Sequence, residues 1–154
     1  MTLIIANDHM MVADGVSTAG GVRVAWGDPK ITRARDRSLV GSCGRASDCY
    51  AFSLWAQEGM DFSAPPKLAD PEGFRAIWLK PDGTIWFIDE DFRPYPCGGK
   101  FAIIGERTGA EIARGALMAG ALPVKAARIA CRVSVWLSEP LQVEFLASDG
   151  DEHE

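Results

Sequence analysis

Thr2-Leu-Ile-Ile-Ala6 and Met10-Met-Val-Ala13 are two short apolar runs separated by Asn7-Asp8-His9, and their reading decides the fold. The first run is rich in β-branched residues, the polar tripeptide supplies turn chemistry, and the second run ends at Asp14-Gly15. This pattern predicts a strand hairpin at the extreme N-terminus. Outward from it, Gly20-Gly21 and Gly27-Asp28-Pro29 punctuate the chain, with short strands expected over residues 22–26, 30–35 and 38–43. Apolar residues then recur at three and four from Arg45 to Gln57, which predicts a helix stopped by Gly59.

The rest of the chain repeats the alternation. Residues 74–79 and 84–88 flank Lys80-Pro-Asp-Gly83, a hairpin signal, and residues 101–104 read as a further strand. Thr108 with Glu111 reads as a capping box opening a helix through Ala119, and Gly120 ends it. Pro123 is placed to open another helix with Val124, Ala127, Ile129, Ala130 and Val133 as its apolar positions. A last strand over residues 141–146 precedes an acidic tail, residues 149–154. Hairpins, one helix, hairpins, two helices and a strand are segregated blocks. They point to an α+β layered fold and argue against alternating βαβ units.

The 154 residues fit one domain, residues 1–148, and the composition (47% hydrophobic, 24% charged) is that of a globular chain. A net charge of -5 offers no electrostatic footprint for nucleic acid or an anionic membrane surface. No apolar run reaches a membrane span and no export signal opens the chain, so a cytoplasmic location is expected. Cys43, Cys49, Cys97 and Cys131 show no CxxC, and His9 and His153 are the only histidines. No metal site and no cofactor are therefore expected, and the cysteines read as reduced, small apolar residues.

Three features of the first 44 residues belong together. Thr2 follows Met1, and a small second residue favours removal of the initiator methionine, leaving a threonine with both a hydroxyl and an α-amine. The hydroxyl is a weak nucleophile without a base, and an α-amine, with a reference pKa of about 7.7–8.0, suits that work. Asp14 ends the second strand of the hairpin. Lys30 begins a later strand, from which its ammonium could stabilise negative charge at Thr2. Singly these residues are unremarkable: strand-end Asp-Gly makes turns, and Lys after Pro is usually solvated. The joint spacing carries the argument.

With Val12-Ala-Asp-Gly15, Thr18, Lys30-Ile31, Leu39-Val-Gly-Ser-Cys-Gly44 and Ala46-Ser-Asp48, the chain resembles the N-terminal-nucleophile (Ntn) hydrolases of the proteasome β-subunit and HslV group. The short proteasome-like proteins of phages and prophages are the closest in kind. Asp14 and Lys30 lie sixteen positions apart (30 minus 14), as in HslV. The resemblance implies a four-layer αββα sandwich and a threonine-type peptidase or amidase working through an acyl-enzyme. Thr2 would be the nucleophile and its amine the base, exposed by removal of Met1 with no propeptide. Lys30 would favour the ionised Thr2 oxygen, Asp14 would hold Lys30, and the Gly44 N–H would serve the oxyanion. Thr18 would pair with an extended peptide substrate, and Asp28 and Ser42 would line the first specificity pocket, Asp28 favouring a basic side chain.

The resemblance further implies peptide or unfolded-protein substrates and a homo-oligomeric ring. HslV works with a separate ATP-driven (AAA+) unfoldase, but nothing in this sequence identifies such a partner. Five tryptophans, Trp26, Trp55, Trp78, Trp86 and Trp136, are divided between core and possible interfaces. Two positions depart from the family pattern. Glu106 stands where a serine supports the threonine amine, and Val133-Ser-Val-Trp-Leu-Ser138 offers Ser134 or Ser138 where an aspartate is usual. The alternative reading is a catalytically silent, phage-related homologue with a structural or assembly role.

Overall fold

The computed structural model describes residues 1–19, 22–26 and 29–147, with the main chain alone at 19 and 23–26. Asp28 and the acidic tail, residues 149–154, lie outside the described residues. The predicted hairpin forms: β1 (Leu3–Ala6) and β2 (Met10–Ala13) pair antiparallel, with Ile5 opposite Val12. Asn7 closes it, its Oδ1 accepting the N–H groups of His9 and Met10 at 3.0 and 2.9 Å. This is the side-chain mimicry of a turn that favours asparagine there.

The hairpin is the centre of a four-stranded antiparallel sheet. β10 (Ala102–Gly105) pairs with β1 and β11 (Gln142–Phe145) with β2, giving the order β10-β1-β2-β11. A second antiparallel sheet contains β5 (Ile31–Arg33), β6 (Leu39–Cys43), β7 (Arg75–Leu79), β8 (Ile85–Ile88) and β9 (Tyr95–Pro96), in that order. Between the hairpin and β5 the chain makes a separate two-stranded ribbon, β3 (Val16–Ala19) with β4 (Val22–Trp26). The helices are α1 (Ala46–Gln57), α2 (Arg107–Met118) and α3 (Pro123–Val133).

Side-chain alternation assigns the layers. Leu3, Ile5, Met10 and Val12 face α2 and α3, meeting Ala113, Leu117, Ala126, Ala127 and Ala130. Ile4, Ala6, Met11 and Ala13 point the other way and pack on Ile31, Leu39, Ile77 and Leu79 of the second sheet. The far face of that sheet, with Val40, Ala76 and Ile88, is covered by Phe52, Trp55 and Ala56 of α1. The order helix, sheet, sheet, helix is the expected αββα sandwich. Covering both faces of β1 and β2 explains why their sequences are apolar without alternation. Each buried Leu, Ile, Met or Val side chain among them contributes about 1.5–3 kcal/mol.

Some elements differ from expectation. β3 forms around Thr18, where the resemblance implies an edge strand but the local pattern marks none, and β9 forms where no strand is expected, because pairing partners supply what short polar-flanked sequences lack. The strand expected over 30–35 is confined to Ile31–Arg33. The second helix begins at Arg107, and its cap is Glu106, whose carboxylate accepts the N–H groups of Thr108 and Gly109. Thr108 is therefore inside the first turn and does not form the capping box. Of the tryptophans, Trp55 is buried against Phe62 and Phe92 at 5.0 and 5.3 Å, whereas Trp136 is exposed.

Candidate active site

Asp14 follows β2 directly, so the end of a central strand delivers its carboxylate into the protein interior, where it is fully buried. Oδ1 accepts the Leu3 N–H at 2.9 Å and the Lys30 ammonium at 2.8 Å; Oδ2 accepts the Val16 N–H at 3.3 Å. Lys30 precedes β5 and spends its three N–H groups on Asp14, on the Val16 carbonyl at 2.5 Å and on the Met1 carbonyl at 3.2 Å. With side-chain exposures of 9% for Lys30 and 0% for Asp14, the pair is desolvated and its geometry is fixed on several sides.

The base of Lys30 is held from a distant part of the chain. Gln142 of β11 accepts the Lys30 and Ile31 N–H groups at 2.7 and 3.0 Å and donates to the Ile31 carbonyl at 3.0 Å. This clamp joins the two sheets beside the ion pair and has no signal in the local sequence.

Thr2 sits at the entrance to β1, half-buried, with its carbonyl accepting the Glu106 N–H at 2.7 Å. Gly105, at φ 122°, permits that approach: a Cβ built there would lie 1.9 Å from the Thr2 oxygen. In the full chain the Thr2 nitrogen belongs to the Met1–Thr2 peptide bond and is no base. The Met1 ammonium donates to the Thr18 hydroxyl at 2.6 Å. Burial and the neighbouring Lys30 charge pull its pKa below the ordinary 8.0, with Asp14 and Glu106 opposing.

These residues open onto a cleft of about 400 Å³ lined by Thr2, Thr18, Lys30, Ser42 and Gly44, and also by Thr32, Cys49, Tyr50 and Ser53. Gly44 follows β6 at φ 135°, and a Cβ there would meet the Gly73 carbonyl at 2.9 Å, so the turn requires glycine. The Thr32 and Ser53 hydroxyls bond to each other at 2.6 Å. Burial pushes the Cys49 thiol up in pKa, despite a hydrogen bond with Ser42, so it is a poor nucleophile. A larger concavity, about 790 Å³, lies between β8 and the α2–α3 turn and carries no comparable cluster.

Of the residues singled out from the sequence, Thr2, Thr18, Lys30, Ser42 and Gly44 share this cleft, with Asp14 behind Lys30. Asp28 lies outside the described residues. Glu106 and Ser134, both singled out from the sequence, meet: Ser134, at the end of α3, donates to Glu106 Oε2 at 3.1 Å. Neither Ser134's contact nor Gln142's clamp is visible in the sequence, since each joins residues far apart in the chain.

No protein-family model and no curated protein matches the sequence. Solved structures do match. BPH of Thiobacillus denitrificans aligns with a TM-score of 0.65 and 18% identity, covering 96% of this chain and 99% of its own. HslV of Trypanosoma brucei aligns with a TM-score of 0.65 and 20% identity, covering 96% of this chain and 100% of its own. BPH in complex with epoxomicin aligns at a TM-score of 0.64 with 18% identity, covering 96% and 99%. At these identities the likeness speaks to architecture: the chain has the α+β, four-layer fold shared by HslV and the proteasome-like Ntn hydrolases.

Proposed function

We propose that the protein is a threonine-type peptidase or amidase that acts through Thr2 after Met1 is removed. The observation that supports it best is the Lys30 ammonium, gripped by buried Asp14 and directed at the Met1–Thr2 junction inside a cleft. Removal of Met1 frees the Thr2 amine, the Thr18 hydroxyl and one Lys30 donor together. The amine then takes the proton of the Thr2 hydroxyl, and the oxygen attacks the substrate carbonyl. The tetrahedral oxyanion is met by the Gly44 N–H and the proton passes to the leaving amine. Water hydrolyses the resulting Thr2 ester, with the amine again acting as base.

An extended peptide is the substrate this cleft suits, its backbone pairing along β3 at Thr18. Ser42 and Asp28 are the proposed lining for the first side chain, with Asp28 favouring a basic one. Homo-oligomerisation belongs to the same proposal. Met118, Leu122, Val133, Val135 and Trp136 are large apolar side chains left exposed around α2 and α3, which suits contacts between copies. Among the described residues no helix is long and apolar enough to cross a membrane.

A silent, structural homologue is the second reading, favoured by the seated Met1, which occupies both Thr18 and Lys30. Intact mass spectrometry with and without a β-lactone probe separates the two. The enzyme reading expects a mature mass lacking Met1 and one covalent adduct that disappears in Thr2→Ala. Retained Met1 with no adduct would refute it and leave the structural role.

A further inference from the structure

Asp48 is a buried carboxylate that the proposed mechanism does not use, 2% exposed in the first turn of α1. An acid three residues past a helix cap ordinarily reaches back to the N–H of the cap. Asp48 stands three residues after the cap Arg45 (48 minus 45) with both oxygens committed elsewhere. Oδ1 accepts the Ala69 N–H at 2.7 Å and Oδ2 the Asp70 N–H at 2.9 Å, from a loop 21 and 22 residues further along. Bonds to a charged acceptor are roughly twice as strong as neutral ones, so this fastening is stiff.

The two bonds tie together the segments on either side of Gly44. On one side the chain leaves Gly44 through Arg45 into α1, and the Asp48 N–H donates to the Arg45 carbonyl at 3.0 Å. On the other, Asp70 opens the 3₁₀ turn Pro71–Gly73. The Gly73 carbonyl and Phe74 Cα lie 2.9 and 3.3 Å from the place a Gly44 Cβ would occupy. Phe74, fully buried, packs edge-on against Phe52 of α1 at 5.3 Å. The Gly44 peptide is thus held between two segments that one carboxylate fastens to each other.

We propose that Asp48 is a positioning residue for the Gly44 N–H, holding the oxyanion donor in place by pinning residues 69–70 to the start of α1. The inference rests on the reading of Thr2 as a nucleophile that becomes acylated, and concerns the donor that meets the oxyanion. Such a donor is effective because it needs no reorganisation as charge develops. A displacement of about 1 Å costs on the order of 100-fold in rate. Ala46, Cys49 and Tyr50 of the same helix line the cleft and Asp48 does not, so it acts through the main chain and touches no substrate.

The test uses the full chain released from a cleavable fusion so that Thr2 comes first. Titration with a β-lactone gives the saturating rate of Thr2 acylation, kinact, separately from the half-saturating concentration, KI. Asp48→Asn keeps the volume, removes the charge and sets an NH2 against one of the two N–H donors. It should lower kinact about 10- to 100-fold while KI changes less than about 3-fold. Ala69→Pro leaves the acid and removes one of its donors, and should lower kinact in the same sense. Leu117→Ala, in the core beneath α2, reduces stability without touching the clamp and should leave kinact as it is. An unchanged kinact in Asp48→Asn overturns the proposal, as does a loss confined to KI or an equal fall in Leu117→Ala. Should Asp48→Asn not fold, an unchanged kinact in Ala69→Pro does so. The amide resonance of Gly44 in nitrogen-15-labelled chain requires no turnover. It should shift in both clamp variants and stay in place in Leu117→Ala; an unshifted resonance in the clamp variants overturns the proposal. If it shifts as stated while a β-lactone leaves the wild-type Thr2 unmodified, the reading of the chain as an enzyme fails and the hold of Asp48 on Gly44 stands.

Discussion

Replacing Asp14 by Asn isolates the charge of the buried carboxylate at nearly constant volume. Asp14 Oδ1 serves both Lys30 Nζ and the Leu3 N–H, and Oδ2 serves the Val16 N–H. An asparagine keeps one oxygen and sets an amide NH2 against a donor, leaving Lys30, 9% exposed, without a counter-charge. Breaking such a pair costs about 3–5 kcal/mol, of a total stability on the order of 5–15 kcal/mol. In thermal unfolding this corresponds to a fall of roughly 6–20 °C for a chain of this size. Lys30→Met strands the carboxylate instead and should cost a similar amount. The doubly substituted chain strands neither charge, so urea denaturation at pH 7 should give a coupling energy of about 2 kcal/mol or more between the two sites. Both single substitutions should also abolish β-lactone modification of Thr2. Single costs below about 1 kcal/mol that add within about 0.5 kcal/mol would refute the picture of a desolvated, mutually dependent pair.

Gly44→Ala forces a Cβ to within 2.9 Å of the Gly73 carbonyl at φ 135°, and should cost about 1–3 kcal/mol while suppressing acylation, read by thermal unfolding and probe labelling. Gln142→Leu orphans the Lys30 and Ile31 N–H groups and should cost about 2–3 kcal/mol in urea unfolding, with loss of labelling at Thr2. The Met1 amine has a pKa lowered from 8.0 in the folded chain, chiefly by burial. Its stabilising contribution is therefore present above pH 8.0 and lost as pH falls through the folded value. Comparing urea stability against pH for the free and N-acetylated full chains should show that extra slope in the free chain alone.

The layers and the Asp14–Lys30 pair were legible in the sequence because both write local signals. Paired apolar runs with an Asn-Asp-His turn need little context to make a hairpin. A strand-end acid sixteen positions before Lys30 (30 minus 14) needs only the fold to close on itself. The α2 cap was misread because Thr108 and Glu111 match a common capping pattern, whereas Glu106 caps by curling a longer side chain back over the first turn. That curl is stabilised by Ser134, 28 residues away, a contact no local pattern encodes. Gln142 is still more distant from the strand it clamps. Nor could alternation assign a face to β1 or β2, since both faces are buried and every position is apolar.

The seating of Met1 also bears on how the protein is handled. Its ammonium and its carbonyl engage Thr18, read as a substrate contact, and Lys30, read as the charge beside the Thr2 oxygen. On the proposed reading, one peptide bond stands between a capped and an open cleft, and cutting it would make the base and clear the entrance in a single event. A purification tag fused ahead of Met1 would keep that bond intact and the cleft capped. Material prepared that way would test as inert whatever its native activity, whereas a tag placed at the C-terminus leaves the Met1–Thr2 bond open to cleavage.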